Sequence, residues 1–178
     1  MRDTRWHLRY WQALAALVVA AGEAMAQDRQ AARRIVVSIP DRKLALLEDG
    51  QVVRIYPVAV GAAATPSPLG EFTVIQRVTE PTWYGPHKVV PPGKHNPLGP
   101  RWIGLSRKGY GIHGTSDPRS IGHAASHGCI RMKNSDVEEL FGLVEVGDEV
   151  ELVAESNDEV ARIFGDEPAT ATVTAGGQ

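Results

Sequence analysis

Short apolar segments rich in β-branched residues recur along the chain, and several alternate with polar positions, a pattern typical of strands. Strands are predicted over residues 35–39, 43–48, 51–60, 71–78, 101–105, 110–113 and 149–153. Asp49 and Gly50 join the second strand to the third, and this dipeptide supplies the positive φ angles of a tight hairpin turn. The pattern therefore predicts a mainly β domain that contains a β-hairpin.

The hydrophobic period changes after Met132. Ser135 and Glu138 have the separation of a capping box, in which a serine caps the first turn of a helix. The apolar residues beyond them have helical spacing: Val137, Leu140, Phe141 and Val144. A helix that begins at this capping box is therefore predicted.

Prolines and glycines break up residues 79–100, so no regular element is predicted there. A loop of this length in a compact domain is uncommon and often functional. Trp83, Tyr84 and His87 lie within it. These side chains either pack over an edge of the sheet or form a lid or rim over a substrate groove.

The first residues have the layout of a secretory signal peptide. Basic residues precede a short apolar run over 13–21, and Ala24 and Ala26 are small residues at the positions that a signal peptidase inspects. The alternative, an uncleaved membrane anchor, needs about 20 apolar residues. We expect residues 1–26 to be removed after Ala26 and the protein to be exported to the periplasm.

Polar segments flank the predicted domain. Residues 27–34 are expected to form a flexible lead-in, and residues 154–178 a mobile tail. The formal net charge of the chain is only −2. This mild charge offers no basic stripe for nucleic acid, so no nucleic-acid partner is expected.

Cys129 is the only cysteine in the sequence. Cysteines of exported proteins usually pair, and this one cannot pair within its own chain. It is therefore a buried inert residue, an intermolecular link or a reactive thiol. Three of the six histidines, His113, His123 and His127, lie shortly before it. Because a histidine can take the proton of a thiol near neutral pH, this company favours a nucleophile.

The spacing suggests roles for several neighbours of Cys129. His127, two residues before it, points to the same side of an extended segment, whereas His113 needs an adjacent strand to reach the thiol. The N–H groups of Gly128 and Cys129 are candidates for an oxyanion hole. Arg131 is placed to grip a carboxylate.

Other chemistry is open on the residues alone. Ser126 is a possible nucleophile or a hydrogen-bonding neighbour of the thiol, and Asp117 either orients His113 or is an ordinary turn residue. Nitrogen and sulfur ligands also suit zinc. The spacing matches no established zinc motif, but the candidate ligands would be His113, His123, His127 and Cys129.

The segment Ser126-His127-Gly128-Cys129-Ile130-Arg131, preceded by Ile112-His113-Gly114-Thr115, resembles the L,D-transpeptidase catalytic-domain (YkuD-type) family. Thr65-Pro66, the segment 68–72 and Asn96-Pro97-Leu98-Gly99 agree with it too. The resemblance covers about residues 35–153. It implies a β-rich fold, with a groove across a curved sheet or sandwich and one or two short helices, and it implies no cofactor and no metal.

The resemblance also implies an activity on peptidoglycan stem peptides. Cys129 would attack the third residue of a tetrapeptide stem and release D-alanine, and the thioester would pass to an amine of a second stem or of an outer-membrane lipoprotein. Water in place of the amine would give an L,D-carboxypeptidase, and a non-catalytic stem-peptide-binding module is a further alternative. Family members are typically acylated by carbapenems.

The resemblance assigns roles to individual residues. His113 matches the catalytic base and acid, His127 shapes the site, and Arg131 meets a substrate carboxylate. Three more residues are candidates for shaping the site: Ser126, Gly128 and Gly114.

Overall fold

The computed structural model describes residues 32–155 and 157–165. The predicted signal peptide, 1–26, lies outside the described residues. The strands are β1 (Arg33–Ser38), β2 (Lys43–Glu48), β3 (Gln51–Pro57), β4 (Val60–Gly61), β5 (Gly70–Thr79), β6 (Trp83–Tyr84), β7 (Val89–Val90), β8 (Arg101–Leu105), β9 (Gly111–His113), β10 (Ala124–Ser126), β11 (Ile130–Arg131) and β12 (Glu149–Val153). The helices are α1 (Asn134–Leu143), α2 (Asp158–Phe164) and a short 3-10 helix, Pro118–Ser120.

Eight strands form one sheet in the order β11-β9-β8-β5-β12-β1-β2-β3. The predicted hairpin joins β2 to β3, with φ angles of 50° at Asp49 and 78° at Gly50. The pairs β1–β12 and β9–β11 are parallel, and the other pairs in this sheet are antiparallel. The prediction of a mainly β fold with one or two short helices is confirmed.

The main core lies on the face of the sheet that α1 covers. Val137 and Leu140 of α1 are completely buried there, among apolar side chains from strands across the sheet. The helix follows the predicted apolar period, but its predicted cap is wrong. Lys133 occupies the capping position without a side-chain hydrogen bond, and the hydroxyl of Ser135 donates to its neighbour Asp136.

The second face of β1 and β2 is covered by α2. Val160, Ile163 and Phe164 are buried against Val36, Ala45 and Leu47 of the two strands, and the Asn157 side chain caps the helix by accepting from the Val160 N–H at 2.8 Å. The prediction of a mobile tail is therefore wrong for residues 157–165, because three apolar residues suffice to anchor one short helix. The rest of the predicted tail from 166 lies outside the described residues.

The predicted lead-in is also too long. Arg33 and Arg34 belong to β1, and the Arg34 guanidinium pairs with Glu159 of α2 at 2.7 Å and with Glu151 of β12. These ion pairs connect the first strand to α2, which covers it, and to β12, its neighbour in the sheet. None of the helices in the described ranges is long and apolar enough to cross a membrane.

The proline-rich segment 79–100 contains one regular element, contrary to the prediction. β6 and β7 form a small antiparallel pair in which Trp83 faces Val90 and Tyr84 faces Val89. The prolines lie beside these two-residue strands rather than within them, so no ladder hydrogen bond is lost. The Gly85 N–H donates to the Lys88 carbonyl at 2.9 Å and closes the turn between them.

Candidate active site

Three neighbouring strands at one end of the sheet bring the candidate residues together. Trp102 of β8 lies directly opposite His113 of β9, and His113 lies opposite Arg131 of β11. Directly opposite residues share one face of a sheet. Cys129 immediately precedes β11, so the strand pairing brings it to the same region as His113 across a sequence gap of 16 residues.

The imidazole of His113 is buried, with only 5% of the residue exposed. Its Nδ1 lies 2.6 Å from the Gly114 carbonyl. Because a carbonyl only accepts, Nδ1 carries the proton and Nε2 carries the lone pair. Burial lowers the pKa of His113 to about 4, with a further lowering by the Arg131 charge and an opposing contribution from the Gly114 hydrogen bond. His113 is therefore neutral at neutral pH and able to accept a proton.

The thiol of Cys129 is half-buried, and its Sγ donates to the Gly109 carbonyl at 3.6 Å. Burial raises the pKa of the thiol, although the Gly111 backbone and the Arg131 charge act in the opposite direction. The resting pair is thus a neutral thiol and a neutral imidazole. Such a pair suits proton transfer during the attack rather than a permanently ionised thiolate.

Ser126 braces the turn that carries Cys129. Its buried hydroxyl donates to the Cys129 carbonyl at 2.6 Å and accepts from the Gly128 N–H at 3.0 Å. Both capacities of the hydroxyl are used, which favours the hydrogen-bonding role of Ser126 over that of a nucleophile. The Gly128 N–H already donates to the Ser126 hydroxyl, so the prediction that it contributes to an oxyanion hole is wrong. Of the two predicted donors, the Cys129 N–H is the one that this hydrogen bond does not use.

Gly128 is required by both its conformation and its surroundings. Its φ angle is +107°, and a Cβ there would lie 2.7 Å from Cε1 of Tyr110. Any side chain would therefore strain the backbone and push into the Tyr110 ring. The tight turn between Ser126 and Cys129 depends on this glycine.

Gly114 lies where two backbone segments touch. A Cβ on Gly114 would approach Oδ1 of Asn134 to 2.4 Å, and one on Gly99 would approach the Gly114 Cα to 2.7 Å. The same Asn134 oxygen accepts from the Thr115 N–H at 2.8 Å. These contacts fix the peptide whose carbonyl orients the His113 ring.

The remaining predicted residues take different positions. His127 is exposed, and the thiol donates to Gly109 rather than pairing with His127. Arg131 is half-buried, and its charge lowers the pKa of both His113 and Cys129. Arg131 thus brings a positive charge to the side of the thiol and the imidazole.

Two alternatives fail on geometry. Nδ1 of His113 donates to the Gly114 carbonyl rather than to Asp117. The Asp117 N–H donates to the Thr115 hydroxyl, so Asp117 is a turn residue. The four proposed zinc ligands do not converge, since no group of three or more metal-ligating side chains occurs in residues 32–155 and 157–165. The nucleophile hypothesis therefore keeps its geometric basis and the zinc hypothesis loses it.

Cys129 opens onto a groove of about 650 Å³. Trp83 and Tyr84 line it, which favours a rim over the alternative of packing at a sheet edge, whereas His87 lies outside the lining. Sequence analysis missed several lining residues, of which Trp102 is the largest. Counting the register back from His113 across the turn before Tyr110 would have placed Trp102 opposite His113. The lining residues are Gln76, Val78, Glu80, Pro81, Thr82, Trp83, Tyr84, Leu98, Trp102, Gly109 and Cys129.

The fold and the cysteine–histidine site define a class of protein, and comparison with known proteins identifies it. The family model of the L,D-transpeptidase catalytic domain (YkuD) matches residues 32–152. The chain belongs to this family, and the resemblance inferred from the sequence motifs is confirmed.

A relative with a similar sequence agrees with the family assignment. The YkuD protein of Bacillus licheniformis, an L,D-transpeptidase by name, is 43% identical over 119 residues, which are 67% of this chain and 64% of the relative. The chain thus spans slightly less than two thirds of that relative.

Solved structures support the fold. An L,D-transpeptidase from Mycobacterium tuberculosis has a TM-score of 0.59 at 21% identity, covering 69% of this chain and 58% of that one. The Ldtfm–avibactam carbamoyl enzyme has a TM-score of 0.60 at 26% identity, and the match covers 70% of this chain and 50% of the Ldtfm chain.

Proposed function

We propose that this protein is a peptidoglycan L,D-transpeptidase in which Cys129 is the nucleophile and His113 the general base and acid. The substrates are stem peptides of peptidoglycan. One observation carries the proposal. Cys129, the sole cysteine, opens onto a groove, and strand pairing brings it to the same region as buried His113. Nδ1 of that histidine is held by the Gly114 carbonyl, which leaves Nε2 available.

The first half of the reaction forms a thioester. Nε2 of His113 takes the thiol proton as Sγ of Cys129 attacks the carbonyl carbon of the third stem residue. The tetrahedral intermediate collapses, the bond to D-alanine breaks, and the proton on Nε2 passes to the departing amine. The Cys129 N–H is suited to stabilise the developing oxyanion, and the Arg131 guanidinium to bind a substrate carboxylate.

The second half transfers the acyl group. The amine of a second stem attacks the thioester while His113 takes its proton, and that proton then returns to the departing sulfur. The product is a 3→3 cross-link. An outer-membrane lipoprotein amine would complete the same cycle with a different product, and water would give a shortened stem.

A covalent inhibitor provides the direct test. Meropenem should add to the purified protein, with a mass increase that Cys129→Ala abolishes and His127→Ala retains. The avibactam carbamoyl form of Ldtfm supports the choice of a probe that modifies the enzyme through the probe's own carbonyl group. Wild-type protein that stays unmodified while its fold is intact would overturn the proposed nucleophile.

Incubation with tetrapeptide muropeptides then identifies the acceptor. A 3→3 dimer by mass spectrometry supports transpeptidation, whereas tripeptide alone would make the protein a carboxypeptidase.

We also propose that residues 1–26 direct export and that the reaction takes place in the periplasm. A mature N-terminus at Gln27 in the periplasmic fraction is the expected result, and uncleaved protein in the cytosolic fraction would contradict it.

A further inference from the structure

The indole of Trp102 lies against the proposed base. The centroids of the Trp102 and His113 rings are 5.6 Å apart, and their planes differ by only 22°. This is an offset-stacked arrangement within the range that aromatic pairs favour. Trp102 also lines the groove into which Cys129 opens. The indole therefore contacts the imidazole and also borders the groove.

Two glycines make room for this ring. Gly104 of β8 and Gly111 of β9 lie directly opposite each other, two residues along from the Trp102–His113 pair on the same face. A Cβ on Gly104 would lie 2.9 Å from Nε1 of Trp102, and a Cβ on Gly111 would lie 2.7 Å from its Cη2 and Cζ2. The indole thus packs against the backbone of Gly104 and Gly111, in space that the side chains of other residues would occupy at these two positions.

We infer that Trp102 is a positioning residue for His113, and that the paired glycines 104 and 111 form the seat that holds its indole in the stacked position. The inference rests on the proposed function, since it assigns Trp102 a task only if His113 acts as the base. The Gly114 carbonyl fixes one edge of the imidazole, and the indole fixes its plane. Together these two contacts define the direction of Nε2.

The stack also accounts for part of the environment of His113. The large indole keeps water from one face of the imidazole, in keeping with the burial that lowers the pKa of His113. The other groups near this ring are the Arg131 guanidinium, which acts in the same direction, and the half-buried thiol of Cys129.

Two substitutions at Trp102 separate the aromatic face from simple bulk. Trp102→Leu removes the stack and retains an apolar side chain, whereas Trp102→Phe retains a ring. Nuclear magnetic resonance of the His113 imidazole gives its titration midpoint, and mass spectrometry gives the rate of acylation by meropenem. With Trp102→Leu we expect the midpoint to rise from about 4 toward the ordinary 6.5, and acylation to slow about tenfold or more. Trp102→Phe should recover most of both.

Gly104→Ala tests the seat. Its new methyl group would meet the indole and the Cβ of Gln76, whereas alanine at 111 would also strike the Ile103 carbonyl, so position 104 gives the cleaner test. The shift in the His113 midpoint should resemble that of Trp102→Leu, and the double variant should show no further shift. Trp83→Leu, an aromatic change on another side of the same groove, is the matched control and should leave the midpoint unchanged.

The outcomes are distinguishable. An unchanged His113 midpoint in Trp102→Leu would overturn the inference, even if acylation slowed, because Trp102 would then be only a wall of the groove. Circular dichroism confirms that each variant is folded. If the wild-type protein fails to react with meropenem, the proposed function fails, while the titration still reports whether Trp102 controls the environment of His113.

Discussion

Two walls of the groove are built in opposite ways. The strand wall consists of β8, β9 and the start of β11. It carries Trp102 and His113 on the hydrogen-bond ladder of the main sheet, and Cys129 immediately before β11. The loop wall is the segment 79–100, which carries Trp83 and Tyr84 and whose own strands, β6 and β7, pair only with each other. The candidate catalytic groups thus lie on the wall that the sheet makes rigid.

The loop wall depends on a single buried side chain. Nδ2 of Asn96 donates to the carbonyls of Pro81 at 2.7 Å, Val90 at 3.1 Å and Pro91 at 3.1 Å, and its Oδ1 accepts from the Leu98 N–H at 2.8 Å. Prolines have no N–H to donate, so a proline-rich segment has to satisfy its carbonyls from elsewhere. Chemistry and substrate contact should therefore be separable by mutation, because each wall has its own support.

Substitution of His113, on the strand wall, should slow the reaction most. His113→Asn removes the proposed base while leaving a polar side chain in the same strand. Acylation of Cys129 by meropenem should slow by about 10²–10⁴-fold, which is the usual contribution of a general base. The rate is measured from the appearance of the adduct by mass spectrometry. His127→Asn, which alters an exposed histidine, is the control and should stay within about threefold of wild type.

A rate for His113→Asn close to that of wild type would contradict the assignment of the chemistry to the strand wall. It would mean that the histidine on the sheet is structural and that another group accepts the thiol proton. Far-ultraviolet circular dichroism and thermal unfolding distinguish this outcome from loss of the fold.

The strand wall should also make the fold sensitive to acid. In the folded protein the pKa of His113 is lowered to about 4, against 6.5 when it is free of the fold. The unfolded chain therefore binds a proton that the folded chain excludes between these pH values. The stability from this group is fully present above about pH 6.5 and is lost as the pH falls to about 4, by about 3 kcal/mol in total.

Urea unfolding at pH 7 and at pH 4.5 measures this effect. Wild-type protein should lose more stability on acidification than His113→Asn does, and the difference between the two isolates His113 from the carboxylates. His127→Asn should keep the wild-type loss. Equal losses in wild type and His113→Asn would show that the imidazole is not held neutral by burial.

Much of the fold followed from the apolar pattern, and the misses have physical causes. β2 and β8 begin and end at the predicted residues, because their sequences alternate or run apolar between clear turn signals. α2 was missed because it is a short amphipathic helix within a polar stretch of the sequence. The uninterrupted apolar residues of β1 and β2 were the available signal, since strands buried on both faces need a cover on each.

The candidate site was predictable to the extent that it lies in one contiguous segment. Ser126, Gly128 and Cys129 are neighbours in sequence, and local hydrogen bonds unite them. Trp102 reaches the site only through strand register, and Asn96 acts through carbonyls as far as 15 residues away. Spacing along one chain does not reveal contacts of that kind unless the pairing of the strands is already known.

Substitution of Asn96, which supports the loop wall, should have a milder consequence. Asn96→Ala removes the donor that three carbonyls share and the acceptor for the Leu98 N–H, at a cost of about 1–3 kcal/mol in the free energy of unfolding. Because the strand wall keeps its own ladder, alkylation of Cys129 by a small reagent such as iodoacetamide should stay within about twofold of wild type. Consumption of a tetrapeptide substrate should instead show a KM raised several-fold with a smaller change in kcat.

Asn157→Ala is the matched control for this experiment. It removes another asparagine cap, that of α2, whose hydrogen bond lies outside the groove lining. It should lower stability by about 1 kcal/mol and leave KM unchanged. If Asn96→Ala changed the alkylation rate as strongly as it changed KM, the two walls would not be independent, and the separation of chemistry from substrate contact would be wrong. If only KM responds, the loop wall is a substrate-binding element that one buried amide holds in place.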